Sequence, residues 1–265
     1  MPTLKDLLDA GRLEDAVAEA TRLVKDAPAD SSRRTALFEL LCFSGEWDRA
    51  LKQLDAIGHT HSGLALGVES LKQNVTAEQK RAAAGGRPAF LSPPPQHLQL
   101  RVEARLRLKA GDAAAALELL EKAEEERPAH AAEVGGKPVD DFRDYDDVGG
   151  GALEFFLRDR WLWIPFEHLK GFEVEEPKKL RDYLWAPARV EMFDGSGGEG
   201  FVPTLYAGSA LHADPLVRLG RSTETVEAGE GIAETVGMRC FLAGEEALPL
   251  FQARTVRFLP AAQAS

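Results

Sequence analysis

The chain has 265 residues, enough to bury a sizeable core as one large domain or two modest ones, and two is the expectation. Its 32 Lys and Arg against 43 Asp and Glu leave a formal net charge of −11, a field that repels phosphate backbones and anionic lipid. Basic residues come as pairs, Arg33-Arg34 and Lys178-Lys179, not as a stripe, which argues against nucleic-acid and membrane-surface partners.

The first residues, Met1-Pro2-Thr3-Leu4-Lys5-Asp6, lack the basic and then apolar pattern of a signal peptide, and no apolar run reaches the length of a membrane span. A cytoplasmic location is the expectation. Thr3 with Asp6 makes a capping pair for a first helix. Leu4, Leu7 and Leu8, then Leu13, Ala16, Val17, Ala20 and Val24, keep helical spacing on either side of Gly11.

Gly11-Arg12-Leu13-Glu14-Asp15-Ala16 recurs 34 residues later as Gly45-Glu46-Trp47-Asp48-Arg49-Ala50, and again as Gly111-Asp112-Ala113-Ala114-Ala115-Ala116. That period is the one of tetratricopeptide helix pairs. Each Gly permits a sharp turn between antiparallel helices, and the Ala five positions on allows their close approach. The second pair carries Leu37, Phe38, Leu40 and Leu41, then Trp47, Ala50, Leu51 and Leu54; the third carries Leu100, Ala104, Leu106 and Leu108, then Ala113, Ala116, Leu117 and Leu120. An insertion from about Gly58 to Pro95 separates them. It reads as an extra helix with a Leu64, Val68, Leu71, Val75 stripe, followed by a Gly/Pro-rich connection. The array is therefore irregular and too short for a long solenoid.

Gly135-Gly136-Lys137-Pro138, the acidic run 140–147 and Gly149-Gly150-Gly151 break the helical pattern. The expected organisation is a helical domain over 1–134, a solvated linker over 135–151 and a mainly antiparallel β domain over 152–265, an α+β chain. Residues 152–158 read as one more short helix. In Trp161-Leu162-Trp163-Ile164 a strand would place the two indoles on one side and Leu162 and Ile164 on the other, as in a strand buried on both faces. Strand signals follow at 188–193 and 200–206, flanking a hairpin loop at 194–199, then at 222–227, 238–243, 247–251 and 254–259.

Motifs for chemistry mostly fail. Asp144-x-Asp146 with Gly149 has Val148 and Phe155 where a calcium loop needs oxygen ligands, so it reads as an acidic connector. The Gly195 to Gly200 segment lacks the Lys and Ser/Thr of a phosphate loop. His59-Thr60-His61 has no further metal ligand beside it, and Cys42 and Cys240 read as two separate, reduced, buried thiols. No metal and no cofactor is expected. Glu167, His168 and Asp182 are the groups left for acid/base work, and a hydrolase-like enzyme using them in a β-domain cleft is the rival reading. Structural pairing of Arg181 with Glu167 or Asp182 is preferred, because no nucleophile accompanies them. For the tryptophans a core role is preferred over an interface, and Trp163 and Trp185 are the two best placed to reach a surface.

The tetratricopeptide-like first half, then Trp161-Leu162-Trp163-Ile164-Pro165-Phe166-Glu167-His168-Leu169, Leu180-Arg181-Asp182-Tyr183-Leu184-Trp185-Ala186-Pro187-Ala188 and the later Val202-Pro203-Thr204-Leu205-Tyr206-Ala207-Gly208-Ser209, together resemble the ImpE family, also called TagJ or SciE-type, accessory proteins of bacterial type VI secretion. The resemblance spans nearly the whole chain and implies a cytoplasmic, non-enzymatic adaptor. It implies binding to a helix of the small (TssB-like) subunit of the contractile sheath, and modulation of sheath assembly or of its disassembly by the recycling AAA+ ATPase. Partner contacts are expected among Trp163, Phe166, Glu167, Arg181, Asp182 and Trp185. A tetratricopeptide scaffold for another cytoplasmic partner is the remaining alternative.

Overall fold

The fold is that of a computed structural model, which describes residues 2–60, 63 and 65–260, without the side chains of His59 and Thr60. Leu64 of the expected helical stripe, the His61 of the histidine pair and the tail from 261 lie outside the described residues. Seven helices come first: α1 (Leu4–Asp9), α2 (Leu13–Asp26), α3 (Ser31–Phe43), α4 (Trp47–Thr60), α5 (Ala65–Ala82), α6 (Gln96–Lys109) and α7 (Ala113–Glu126). Thr3 and Asp6 form the expected capping box at the start of α1.

The repeat has a common physical basis. Gly11, Gly45 and Gly111 have φ of 71°, 70° and 82°, the left-handed region open to glycine. At each turn the Gly N–H and the next N–H reach back to the carbonyls three and five residues earlier: Leu8 and Leu7, Cys42 and Leu41, Leu108 and Arg107. These bonds satisfy the last carbonyls of the first helix of each pair and fix the reversal. Ala16, Ala50 and Ala116 are fully buried where the second helix meets the first. Among the described residues no helix is long and apolar enough to cross a membrane.

The strands are β1 (Ala132–Val134), β2 (Lys137–Val139), β3 (Phe142–Asp144), β4 (Ala152–Leu157), β5 (Arg160–Pro165), β6 (Leu169–Val174), β7 (Trp185–Met192), β8 (Gly197–Pro203), β9 (Thr223–Gly229), β10 (Ile232–Gly237), β11 (Cys240–Ala243), β12 (Glu246–Pro249) and β13 (Thr255–Phe258), with a short helix α8 (Pro215–Arg218) between β8 and β9. Eight form one antiparallel sheet in the order β2-β1-β13-β6-β7-β8-β4-β5; β12-β11-β3 and β9-β10 form smaller ones. The chain is thus α+β, helices first and antiparallel strands after.

Two local expectations are corrected. Residues 152–158 are not a helix: β4 pairs with β5 in register from Ala152↔Pro165 to Leu157↔Arg160, across a turn in which Arg158 takes φ 57°. An apolar run of this length has no periodicity to separate a helix turn from a strand buried on both faces, and the partner strand decides. The 135–151 stretch is also more than a solvated connector, since it carries β2 and β3, and β3 pairs with β11.

The sheet separates two cores. Trp161, Trp163, Phe156 and Trp185 face the helices and join their core. Leu162, Ile164, Phe155 and Ala186 face the other way, into a core with Phe142, Phe166, Phe172, Phe241 and Phe258. The alternation read in β5 therefore describes a strand covered on both sides. Ala89 of the Gly/Pro-rich connection closes the outer edge of β5 by donating to Trp161 O and accepting from Trp163 N at 2.9 and 3.0 Å.

Candidate functional site

The face of the sheet that meets the helices carries one unusual feature, a group of charges inside an apolar joint. Glu154 stands in the otherwise apolar β4, opposite Trp163. Its Oε1 accepts from the indole N–H groups of Trp161 and Trp163 at 2.8 and 3.2 Å. Its Oε2 accepts from Arg81 of α5 at 2.8 Å and from Arg239. Arg81 also donates to Glu78 at 2.6 Å and to Leu205 O at 2.9 Å, while Trp185 donates its indole N–H to Glu78 at 3.3 Å. Arg239 is 1% exposed and donates further to Asp144 and to Pro203 O. The Tyr206 hydroxyl lies 2.7 Å from Asp144 Oδ1. Three guanidiniums lie over rings: Arg105 on Trp161 at 4.9 Å, Arg239 on Tyr206 at 4.7 Å and Arg81 on Phe156 at 5.8 Å.

Charges survive in such a place only when paired and fully hydrogen-bonded. Burial alone would raise the Glu154 carboxyl, but Arg81 and Arg239 outweigh it and hold it down to about 2. Asp144 goes the other way: complete burial raises it in spite of Arg239. Asp146 is raised to about 7 by burial and by the neighbouring Asp144, although Thr235, Val148 and Gly149 donate backbone N–H groups to it. The Asp144-x-Asp146 motif is therefore a turn anchored by buried Asp144 on Arg239 and by Asp146 on β10, with Tyr145 between them exposed, and not a solvated acidic connector.

The residues expected from sequence as partner contacts fall into separate settings. Trp163 and Trp185 are each 2% exposed, so neither reaches the surface. The cause is their indole N–H groups, which are drawn onto the buried Glu154 and Glu78. Phe166 is fully buried against Phe258, Phe142 and His130, at centroid distances of 5.2, 5.4 and 5.8 Å. Glu167 Oε1 lies 2.8 Å from His97 Nε2, and Glu167 Oε2 lies 3.7 Å from His130 Nε2. Burial raises the Glu167 carboxyl, but the His97 bond turns the balance and lowers it. Burial pushes His130 down to about 4. Arg181 donates to Glu39 of α3 at 2.9 Å, and Asp182 accepts from the backbone N–H groups of Lys178 and Lys179, both at 2.8 Å. Arg181 thus pairs with neither of the acids expected for it. His168 meets Ser92 at 3.2 Å. Among the described residues no group of three His, Cys, Asp or Glu side chains is arranged to hold a metal ion.

Beside the charged joint, the helices and the sheet leave a cleft of about 360 Å³ open to solvent. Leu54 and Ile57 of α4, Val68 and Leu71 of α5, and Trp185, Pro187 and Phe201 from the sheet make its walls, and the Lys179 to Asp182 turn crosses it. Gly67 and Asn74 of α5 also line it. Asp182 lines this cleft; Glu167 and His168 do not.

The reading from sequence missed Arg81, Arg239 and Glu154. Two of them left a signal. Glu154 is the lone charge in Ala152-Leu153-Glu154-Phe155-Phe156-Leu157, and Arg81 with Glu78 continues the apolar Val68, Leu71, Val75 stripe of α5. A charge on a buried face needs a partner, but nothing in the sequence says that Glu154 and Arg81, 73 residues apart, are partners.

A family model described as ImpE protein matches residues 136–257. The type VI secretion system accessory component TagJ of Pseudomonas aeruginosa is 32% identical over 266 residues, covering 97% of this chain and 91% of that protein. The crystal structure of protein VPA1032 from Vibrio parahaemolyticus matches with a TM-score of 0.89 at 25% identity, over 97% of each chain.

Proposed function

The chain belongs to the ImpE family, and on that premise we propose that it is an accessory adaptor of a bacterial type VI secretion system that takes an amphipathic helix of the small sheath subunit into the cleft between α4, α5 and the sheet. The observation that carries this reading is the cleft itself, with apolar side chains from helices and sheet on facing walls. Helix-in-groove recognition needs such a trough, a few side chains long, that accepts residues at i, i+3 or i+4, and i+7. Of the six contacts expected from sequence, Arg181, Asp182 and Trp185 line the trough; Arg181 and Asp182 are the proposed contacts, and the buried Trp185 forms part of its floor. The adaptor works without catalysis, in the cytoplasm, by changing how readily the sheath assembles or is taken apart by its recycling ATPase. The identity of the partner rests on the family; the mode rests on the cleft.

Gly67 supplies the test. It lies within α5 and lines the cleft, and a Cβ added there meets nothing within 4 Å. Gly67→Trp therefore places an indole at the mouth of the trough without a clash and keeps the helix. The variant should fold with an unchanged or higher Tm and lose capture of the purified small sheath subunit. Undiminished capture by Gly67→Trp would sink the cleft as the binding site.

A further inference from the structure

The hairpin of β9 and β10 forms a sheet of its own, two strands wide, and a ribbon of that width gains little stability by itself. Its inner strand is β10. The N–H groups of Ala233, Thr235 and Gly237 point away from β9 and donate to Asp147, Asp146 and the Ser209 hydroxyl at 3.4, 2.7 and 2.8 Å. In an antiparallel ladder two opposite residues either bond to each other or both turn away. Glu227, Thr225 and Thr223 stand opposite those three residues, so their own N–H and C=O groups point outward from the ribbon. The bond from Met238 N to Ser222 O, one position further on, sets the same phase. Among the described residues the outward backbone groups of Thr225 and Glu227 have no backbone partner.

An open strand edge is normally blunted by lysine, proline or a bulge. The middle of β9 has none of these, and the register shift of the hairpin lies beyond Glu227, next to the turn. Neighbouring elements meet β9 near its ends: Gly229 lies against Ala113 of α7, and Glu224 lies 3.7 Å from His212. Thr225 and Glu227, between them, are exposed. The strand and its turn carry Glu224, Glu227 and Glu230 and no Lys or Arg, so a second copy of this edge is repelled and a basic strand is attracted. We infer that the outer edge of β9 is a strand-addition site, separate from the cleft, for an extended basic segment of another polypeptide. The segment pairs antiparallel, exchanges backbone hydrogen bonds with Thr225 and Glu227, and sets two Lys or Arg residues, three apart, opposite Glu227 and Glu224.

The test uses the full-length 15N-labelled protein and the capped peptide Thr-Lys-Val-Thr-Lys-Val-Thr, whose lysines have that spacing. Titration followed by NMR should give saturable shifts and slowed amide exchange at Thr225 and Glu227. Glu227→Lys should weaken binding about five-fold, the equivalent of one cross-strand charge pair. Thr225→Pro removes an outward N–H while keeping the β10 ladder, and should weaken it about ten-fold, the equivalent of one hydrogen bond. If the proline prevents folding, a peptide N-methylated at its first lysine and central threonine, the residues opposite Glu227 and Thr225, should fail to bind the wild-type protein. The absence of saturable shifts on β9, or shifts confined to the cleft, overturns the inference and leaves the cleft reading untouched. Equal binding of a peptide with Glu in place of Lys overturns it, as does undiminished binding of the N-methylated peptide.

Discussion

Replacing Glu154 by Gln tests whether the buried charges at the joint hold the two halves together. The glutamine keeps the shape and still offers one oxygen to the indoles of Trp161 and Trp163, but its N–H2 faces the donors of Arg81 and Arg239. Both guanidiniums are at most 2% exposed and cannot turn to water. Breaking a buried pair on one side costs about 3–5 kcal/mol. The depressed Glu154 carboxyl expresses the same pairing in another form. The carboxyl falls from 4.5 to about 2 on folding, and at about 1.4 kcal/mol per unit this is about 3 kcal/mol. The sign is that of a depressed acid: the contribution is complete above pH 4.5 and is lost as the pH falls from there towards 2. Urea denaturation followed by tryptophan fluorescence should show Glu154→Gln about 3–4 kcal/mol less stable at pH 7, a Tm lower by roughly 10 °C. The gap should narrow below pH 4. A loss under about 1 kcal/mol at pH 7, or a gap that does not change with pH, refutes the argument.

His130 predicts acid sensitivity in a different window. Its folded value of about 4 lies below the ordinary 6.5 because of burial, so the unfolded chain takes up the proton first as the pH falls through 6.5 towards 4. His130→Gln should flatten the stability profile between pH 6.5 and 4, where the parent loses up to about 3 kcal/mol from this group; parallel profiles would contradict the assignment. Cys42 is fully buried and raised well above the usual thiol range by burial, and Cys240 is raised by the same cause. Neither thiol should react with a disulfide reagent at pH 8 until denaturant is added, and rapid labelling of the native protein would show that the joint opens.

Much of the helical half was legible because its rules are local. The 34-residue recurrence of Gly and Ala follows from a turn that needs φ near +70° and a contact that tolerates only a small side chain, and both are properties of neighbouring residues. The alternation in Trp161-Leu162-Trp163-Ile164 was legible for the same reason, since a strand covered on both faces states its two sides in its own sequence. Residues 152–158 were not legible, because six apolar-rich residues satisfy a helix turn as well as a strand until β5 pairs with them.

The repeat and the strand signals determined by themselves an α+β chain with a tetratricopeptide-like first half and antiparallel strands after it, and the aromatic motifs carried the resemblance to the ImpE family. Only the tertiary structure decided what the aromatic motifs do. It placed Arg81, Glu154 and Arg239, which span 158 positions of sequence, within hydrogen-bond reach, and drew the indoles of Trp161, Trp163 and Trp185 off the surface onto buried carboxylates. It also left the cleft beside them. Hydrophobic period and turn chemistry act over a few residues and can be read along the chain. The pairing of charges in a low-dielectric joint depends on which distant elements meet, and that is fixed by packing alone.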